Sequence, residues 1–126
     1  MKRVMIVDDD KDFLEELTDV MDMCGYEVIP VSDSYDVISQ VLDKHPDIII
    51  LDLLMNGFDG FELARRIKEV PETNSIKLIA LTGYYTGAED QVRMMKHGFS
   101  DCVFKPVHPL DVLSAIELQG MGERAK

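Results

Sequence analysis

Acidic residues occupy the same kind of place twice in this chain. Asp8, Asp9 and Asp10 directly follow Val4-Met5-Ile6-Val7, and Asp52 directly follows Ile48-Ile49-Ile50-Leu51. A carboxylate leaving a buried strand carries a desolvation cost unless something compensates it, and two such exits side by side in one sheet converge on one point. A divalent cation is the natural compensator. Two more apolar runs end on groups with chemistry: Thr82 follows residues 77–81, and Lys105 follows residues 101–104. Singly, each group has an ordinary explanation as a solvated loop residue, a cap or a turn hydroxyl. Together they supply carboxylates, a hydroxyl and an ammonium, the inventory of a magnesium-assisted phosphoryl-transfer site. Magnesium takes about six oxygen ligands at roughly 2.0–2.1 Å and keeps several waters, which suits two or three carboxylates plus a backbone carbonyl. Asp52, centrally placed, is also a candidate nucleophile whose attack on phosphorus would give an aspartyl phosphate. Lys105 and Thr82 would then neutralise or orient the charged oxygens of the transferring group.

The elements that must hold these groups alternate in period. The run Val4–Val7 is a short strand, and Phe13, Leu14, Leu17, Val20, Met21 and Cys24 recur at helical spacing up to Gly25. A weaker strand covers residues 27–31. Ser32-Asp33-Ser34 supplies capping side chains for a helix with Val37, Ile38, Val41 and Leu42 on its inner face, stopped at His45-Pro46. The most apolar strand, 47–51, leads through Asn56-Gly57 and Asp59-Gly60 turn signals to a helix that buries Phe61, Leu63, Ala64 and Ile67 and breaks at Pro71. After the strand at 77–81, Thr86 and Glu89 have the spacing of a capping box, and Val92, Met94 and Met95 give the next helix its apolar face up to Gly98. A strand at 101–104 and a helix from Pro109 to about Gln119 complete the pattern. Five apolar strands alternating with five helices predict an α/β fold, a doubly wound parallel sheet covered on both faces, with ligands at the carboxyl ends of the strands. Residues 1–119 form the expected domain and 120–126 a flexible tail.

At 126 residues, the chain is long enough for one core and too short for two. No apolar run approaches a membrane span, and the start Met1-Lys2-Arg3 leads straight into a strand, so the cytoplasm is the expected compartment. Lys plus Arg number 13 against 24 acids, a net charge of -11, which argues against direct binding to nucleic acid or an anionic membrane and favours protein partners or cations. Cys24 and Cys102 make no metal or disulfide framework and read as small buried apolar residues.

The stretches Val4-Met-Ile-Val-Asp-Asp-Asp10, residues 46–55 with Asp59-Gly60 after them, Ala80-Leu-Thr-Gly83 and Phe104-Lys-Pro106 stand in one order with specific separations. In this the sequence resembles the receiver domain of two-component response regulators, from Arg3 to Gln119. The resemblance implies a flavodoxin-like receiver fold that supports its own phosphorylation and dephosphorylation without being an enzyme in the ordinary sense. It implies Asp52 as phosphoacceptor, Asp9 and Asp52 as direct Mg2+ ligands, Asp8 acting through water, and the backbone carbonyl of Leu54 completing the protein's share. Thr82 would bond the phosphoryl group and Lys105 would pair with it. It also implies a cis Lys105-Pro106 bond, where X–Pro statistics alone favour trans. Asp10 and Asp59 read as helix starts rather than site residues. The implied partners are a sensor histidine kinase or phosphotransfer protein, a downstream protein or an output domain outside this chain, and a second copy in a phosphorylation-dependent dimer.

Three departures from the family pattern make the chain individual, and two further positions bear on the lifetime of a phosphorylated form. Asn56 stands where proline is usual, and Phe99 where a small alanine is usual. Cys102 replaces the aromatic three residues before the lysine whose rotamer reports phosphorylation, leaving Tyr84 or Tyr85 to cover the site as half-buried loop residues or to take over that part. Leu54 and Tyr84, two residues after the acceptor and the threonine, are bulky and neither acidic nor amide, which predicts slow autodephosphorylation. Two other classes fit less well. A small magnesium-dependent phosphatase or nuclease-like domain would need a further acid–base group, and a receiver-shaped interaction module outside phosphorylation control would normally lack the acceptor, the acid pair or the lysine.

Overall fold

The computed structural model describes residues 2–124. Strands β1 (Arg3–Val7), β2 (Glu27–Val31), β3 (Ile48–Asp52), β4 (Lys77–Thr82) and β5 (Phe99–Phe104) form one all-parallel sheet in the order β2-β1-β3-β4-β5. Helices α1 (Lys11–Met23), α2 (Val37–Lys44), α3 (Gly60–Glu69) and α4 (Ala88–Lys96) make the crossovers, and α5 (Pro109–Arg124) follows the last strand. This is the flavodoxin-like doubly wound order, and its reversal lies between β1 and β3.

Alternation along the strands decides which helices each face receives. Met5, Val7, Ile49, Leu51, Leu78 and Ala80 point toward α2, α3 and α4, meeting Val37, Val41, Phe61, Leu63, Ile67 and Met94. Val4, Ile6, Ile48, Ile50, Ile79 and Leu81 point the other way, toward Leu14, Leu17 and Met21 of α1 and Val112, Ala115 and Ile116 of α5. Both faces are therefore dry, which is why the strands read as continuous apolar runs. Gly60 lets α3 start close to the end of β3: a Cβ there would lie 2.6 Å from Leu53 Cα and 2.8 Å from the Asp52 carbonyl oxygen.

Several boundaries and faces differ from the sequence-based expectations. Cys24, expected inside, is exposed because it is the C-terminal cap of α1, past the last inward turn. Leu42, Val92 and Met95 also face solvent; α4 buries only Met94, and at about 100° per residue Val92 and Met95 sit well round the helix from it. Helix α4 is capped at Gly87, whose N–H donates to Asp90 Oδ2 at 3.0 Å, rather than by Thr86 with Glu89. A 3-10 turn at Ser34–Asp36 precedes α2. Strand β5 begins at Phe99, whose ring is buried edge-on to Phe61 at 6.3 Å. Helix α5 continues through Arg124, so residues 120–124 of the expected tail are helical and 125–126 lie outside the described residues. No described helix is long and apolar enough to cross a membrane.

Candidate functional site

Strand register brings the four exits together. Val7 pairs with Leu51, so Asp8 and Asp52 emerge side by side at the reversal point. Asp52 pairs with Leu81, placing Thr82 one step beyond on the next strand. Thr82 pairs with Phe104, and the Lys105 N–H donates to the Thr82 carbonyl at 2.9 Å. The Lys105-Pro106 bond is cis, as the resemblance implied.

Asp8, Asp9 and Asp52 each offer a carboxylate oxygen within 4.8 Å of the others. Asp8 is fully buried and Asp52 is 4% exposed, whereas Asp9 faces solvent. The carboxylates of Asp8 and Asp52 are fixed alike, each accepting from the main chain two residues on: Asp10 N–H to Asp8 Oδ1 at 2.9 Å, and Leu54 N–H to Asp52 Oδ1 at 3.1 Å. Asp9 is held from farther away, its Oδ2 accepting from the Asn56 N–H at 3.2 Å.

The Lys105 ammonium sits against this charge. Lys105 Nζ lies 2.9 Å from Asp8 Oδ2 and 3.2 Å from Asp52 Oδ2, and 5.3 Å from the centroid of the Phe13 ring. The contact with Asp8 is an ion pair by distance but off the angle of a hydrogen bond, so buried Oδ2 is left with an unused lone pair. Burial pushes the Asp52 carboxyl above its ordinary range; Leu54 N–H lowers it, neighbouring Asp8 raises it further, and Lys105 offsets only part of the rise. Burial alone would lower the Lys105 ammonium, but the Asp8 and Asp52 carboxylates outweigh it and raise it. A buried carboxylate oxygen with capacity to spare, beside two more carboxylates of hard-oxygen chemistry, fits a small divalent cation.

Thr82 is buried, and its hydroxyl oxygen accepts from the N–H groups of both Tyr84 and Tyr85 at 3.0 Å, closing the loop after β4. The two tyrosines, both expected half-buried, separate. Tyr84 is 70% exposed, while Tyr85 turns in and meets Phe61 edge-on at 5.2 Å. Cys102 is half-buried against the α4 side of the core, and burial followed by the Asp101 charge pushes its thiol up to about 11. Leu54 is 56% exposed beside the carboxylates. Asp10 and Asp59 stay outside the cluster as caps of α1 and α3, accepting from Phe13 N–H and Phe61 N–H.

Sequence reasoning did not find two contributors. The Phe13 ring faces the Lys105 ammonium, and the Asn56 main chain reaches Asp9. For Asn56 the signal was the absent proline, since any other residue there keeps an N–H to donate.

Comparison with known proteins matches residues 4–117 to the response regulator receiver domain family. The chain is 32% identical over 117 residues to the phosphate regulon transcriptional regulatory protein PhoB of Pseudomonas aeruginosa, covering 92% of this chain and 50% of that protein. It thus spans about half the length of that relative. The protein PilH of the same organism is 28% identical over 116 residues, with 92% of this chain and 95% of PilH covered. A solved receiver-domain structure from Methanospirillum hungatei, described as CheY-like, superposes with a TM-score of 0.89 at 25% identity, covering 100% of this chain and 99% of that one.

Proposed function

This chain belongs to the response regulator receiver domains, regulatory phosphoacceptor domains of two-component signalling, and on that premise we propose that Asp52 accepts a phosphoryl group in a magnesium-dependent reaction. The donor is a sensor histidine kinase or a phosphotransfer protein, and the acceptor unit is residues 1–119. The observation that carries the reading is the convergence of Asp8, Asp9, Asp52 and Lys105 at the point where the sheet order reverses.

Asp8, Asp9 and Asp52, with the Leu54 backbone carbonyl, would hold Mg2+. Bound there, the ion would neutralise charge on the oxygens of the transferring group. An Asp52 oxygen forms the new bond to phosphorus as the donor's bond to phosphorus breaks, the electron pair leaving with the donor. Lys105, already against Asp52 Oδ2, pairs with a phosphoryl oxygen without leaving the site. The Thr82 hydroxyl keeps its own proton while accepting from two main-chain groups, so that proton is free to donate to the phosphoryl group. Signal then passes to a protein target or an output domain, in a cytoplasmic setting.

The test is incubation with magnesium and acetyl phosphate, read by intact mass, beside Asp52→Asn. One phosphoryl group is expected on the wild type and none on the variant. No adduct on the wild type, or equal adducts on both, removes the reading.

A further inference from the structure

We propose that Ser34 and the main chain of Asn56 form a clamp that positions Asp9 and so sets how tightly this chain takes up a divalent cation; the proposal rests on the magnesium reading of the acidic site. Asn56 is gripped from two sides. Its N–H donates to Asp9 Oδ2 at 3.2 Å, and its carbonyl accepts from Ser34 Oγ at 2.9 Å. Ser34 is only 2% exposed, and its single hydroxyl proton goes to this loop rather than to a helix cap.

The base of the clamp is firm. Ser34 begins the 3-10 turn before α2, and the Asp33 side chain ties that turn by accepting from the Tyr35 N–H at 3.0 Å. The loop after β3 is seated on this turn so closely that a Cβ on Gly57 would lie 2.7 Å from Ser34 Oγ and 2.7 Å from Tyr35 Cε2. Gly57 also has a φ of +100°, a left-handed conformation that a side chain would strain. Tyr35 closes the contact by meeting the Phe58 ring at 5.0 Å.

Asp9 is the member of the trio that needs outside help. Asp8 and Asp52 are buried and each is fixed by its own turn, whereas Asp9 is exposed and takes its hydrogen bond from Asn56. Holding one oxygen of Asp9 leaves the other directed and lowers the ordering entropy lost when a cation binds. The Asn56 contribution is made by the main chain, so it is insensitive to side-chain identity unless that residue is proline. Groups behind a metal ligand commonly change affinity by about 10-fold or more.

The test titrates magnesium alone into the full chain by isothermal calorimetry, with metal-free melting curves recorded in parallel. Asn56→Ala keeps the N–H and is expected to bind within about twofold of wild type. Asn56→Pro removes the N–H and Ser34→Ala removes the support; each is expected to raise the magnesium Kd about tenfold while still unfolding cooperatively. If the proline variant fails to fold, the comparison of Ser34→Ala with Asn56→Ala decides alone. Wild-type affinity in Ser34→Ala, or an equal loss in Asn56→Ala, overturns the clamp and leaves the magnesium reading standing. No uptake by the wild type removes the magnesium reading and the clamp together.

Discussion

The Lys105 ammonium lies nearer to Asp8 than to Asp52, 2.9 Å against 3.2 Å, so the group expected to pair with a phosphoryl oxygen also compensates the deepest carboxylate of the site. Replacing it with an uncharged chain of similar length leaves two buried acids facing each other. Losing one partner of a fully buried pair costs about 3–5 kcal/mol; with the Lys105 side chain 32% exposed, screening brings the expectation for Lys105→Met down to about 1–2 kcal/mol without metal. Magnesium should raise the melting temperature of this variant more than that of wild type, because the cation takes over the lost compensation. Thermal melts with and without magnesium check both, and equal metal-free stability of the two proteins would refute the first. The lysine's raised pKa also fixes the pH window: its contribution is complete below the ordinary lysine range and is lost only as pH climbs through the raised value.

Asp52 stands in the opposite position, destabilising the metal-free fold when ionised. Its carboxyl is raised chiefly by burial, so the folded chain holds the proton more tightly than the unfolded chain does. A raised acid works against stability above its folded pKa, and that penalty shrinks as pH falls through the raised value. Asp52→Asn should therefore be more stable than wild type at neutral pH without metal, by about 1 kcal/mol or about 4 °C in Tm. The difference should narrow as pH is lowered toward the carboxylate range. Melting curves across pH check it, and a variant less stable at neutral pH would contradict the reading.

Much of this arrangement is legible in the residues themselves. The runs at Val4–Val7 and Ile48–Leu51 are apolar on both sides because helices cover both faces, and carboxylates directly after them announce a site whatever the details. Legibility ends where position depends on a partner far along the chain. Ser34 reads as one of three capping residues, yet its hydroxyl crosses to the Asn56 carbonyl 22 residues away. A main-chain donor such as the Asn56 N–H carries no residue signature at all. The outward turn of Val92 and Met95 escaped for a related reason: an apolar residue at helical spacing reads inward by default, and the spacing does not say that α4 presents Met94 rather than these two to the core.

The two thiols should separate cleanly in reactivity. Cys24 is exposed at the end of α1, whereas Cys102 is half-buried with its thiol pushed up to about 11 by burial and by Asp101. Since the thiolate is the nucleophile, Cys102 has almost none of it at neutral pH. A disulfide reagent should label one thiol quickly and the second at least about tenfold more slowly, the slow phase gaining speed as pH rises toward 11. Cys24→Ser should abolish the fast phase. Two phases of equal rate in the native protein would contradict the burial of Cys102.

The lifetime of the phosphorylated form is the most individual expectation. Leu54 lies in the loop after β3 and Tyr84 in the loop after β4, both well exposed and neither carrying a carboxylate or amide to orient an attacking water. The Tyr84 main chain is anchored to the Thr82 hydroxyl at 3.0 Å, so its side chain departs from a fixed point beside the site rather than from a loose loop. Hydrolysis of the acyl phosphate then depends on water that no side chain at these two positions orients, and the adduct should persist. Leu54→Asn with Tyr84→Glu adds an amide and a carboxylate at those positions without touching Asp8, Asp9, Asp52 or Lys105. The double variant should lose its phosphoryl group at least about tenfold faster, a modest share of the roughly 10²–10⁴-fold that a well-positioned acid–base group contributes. Decay is followed by intact mass after the phosphodonor is removed, and an unchanged rate would show that the long lifetime has another source.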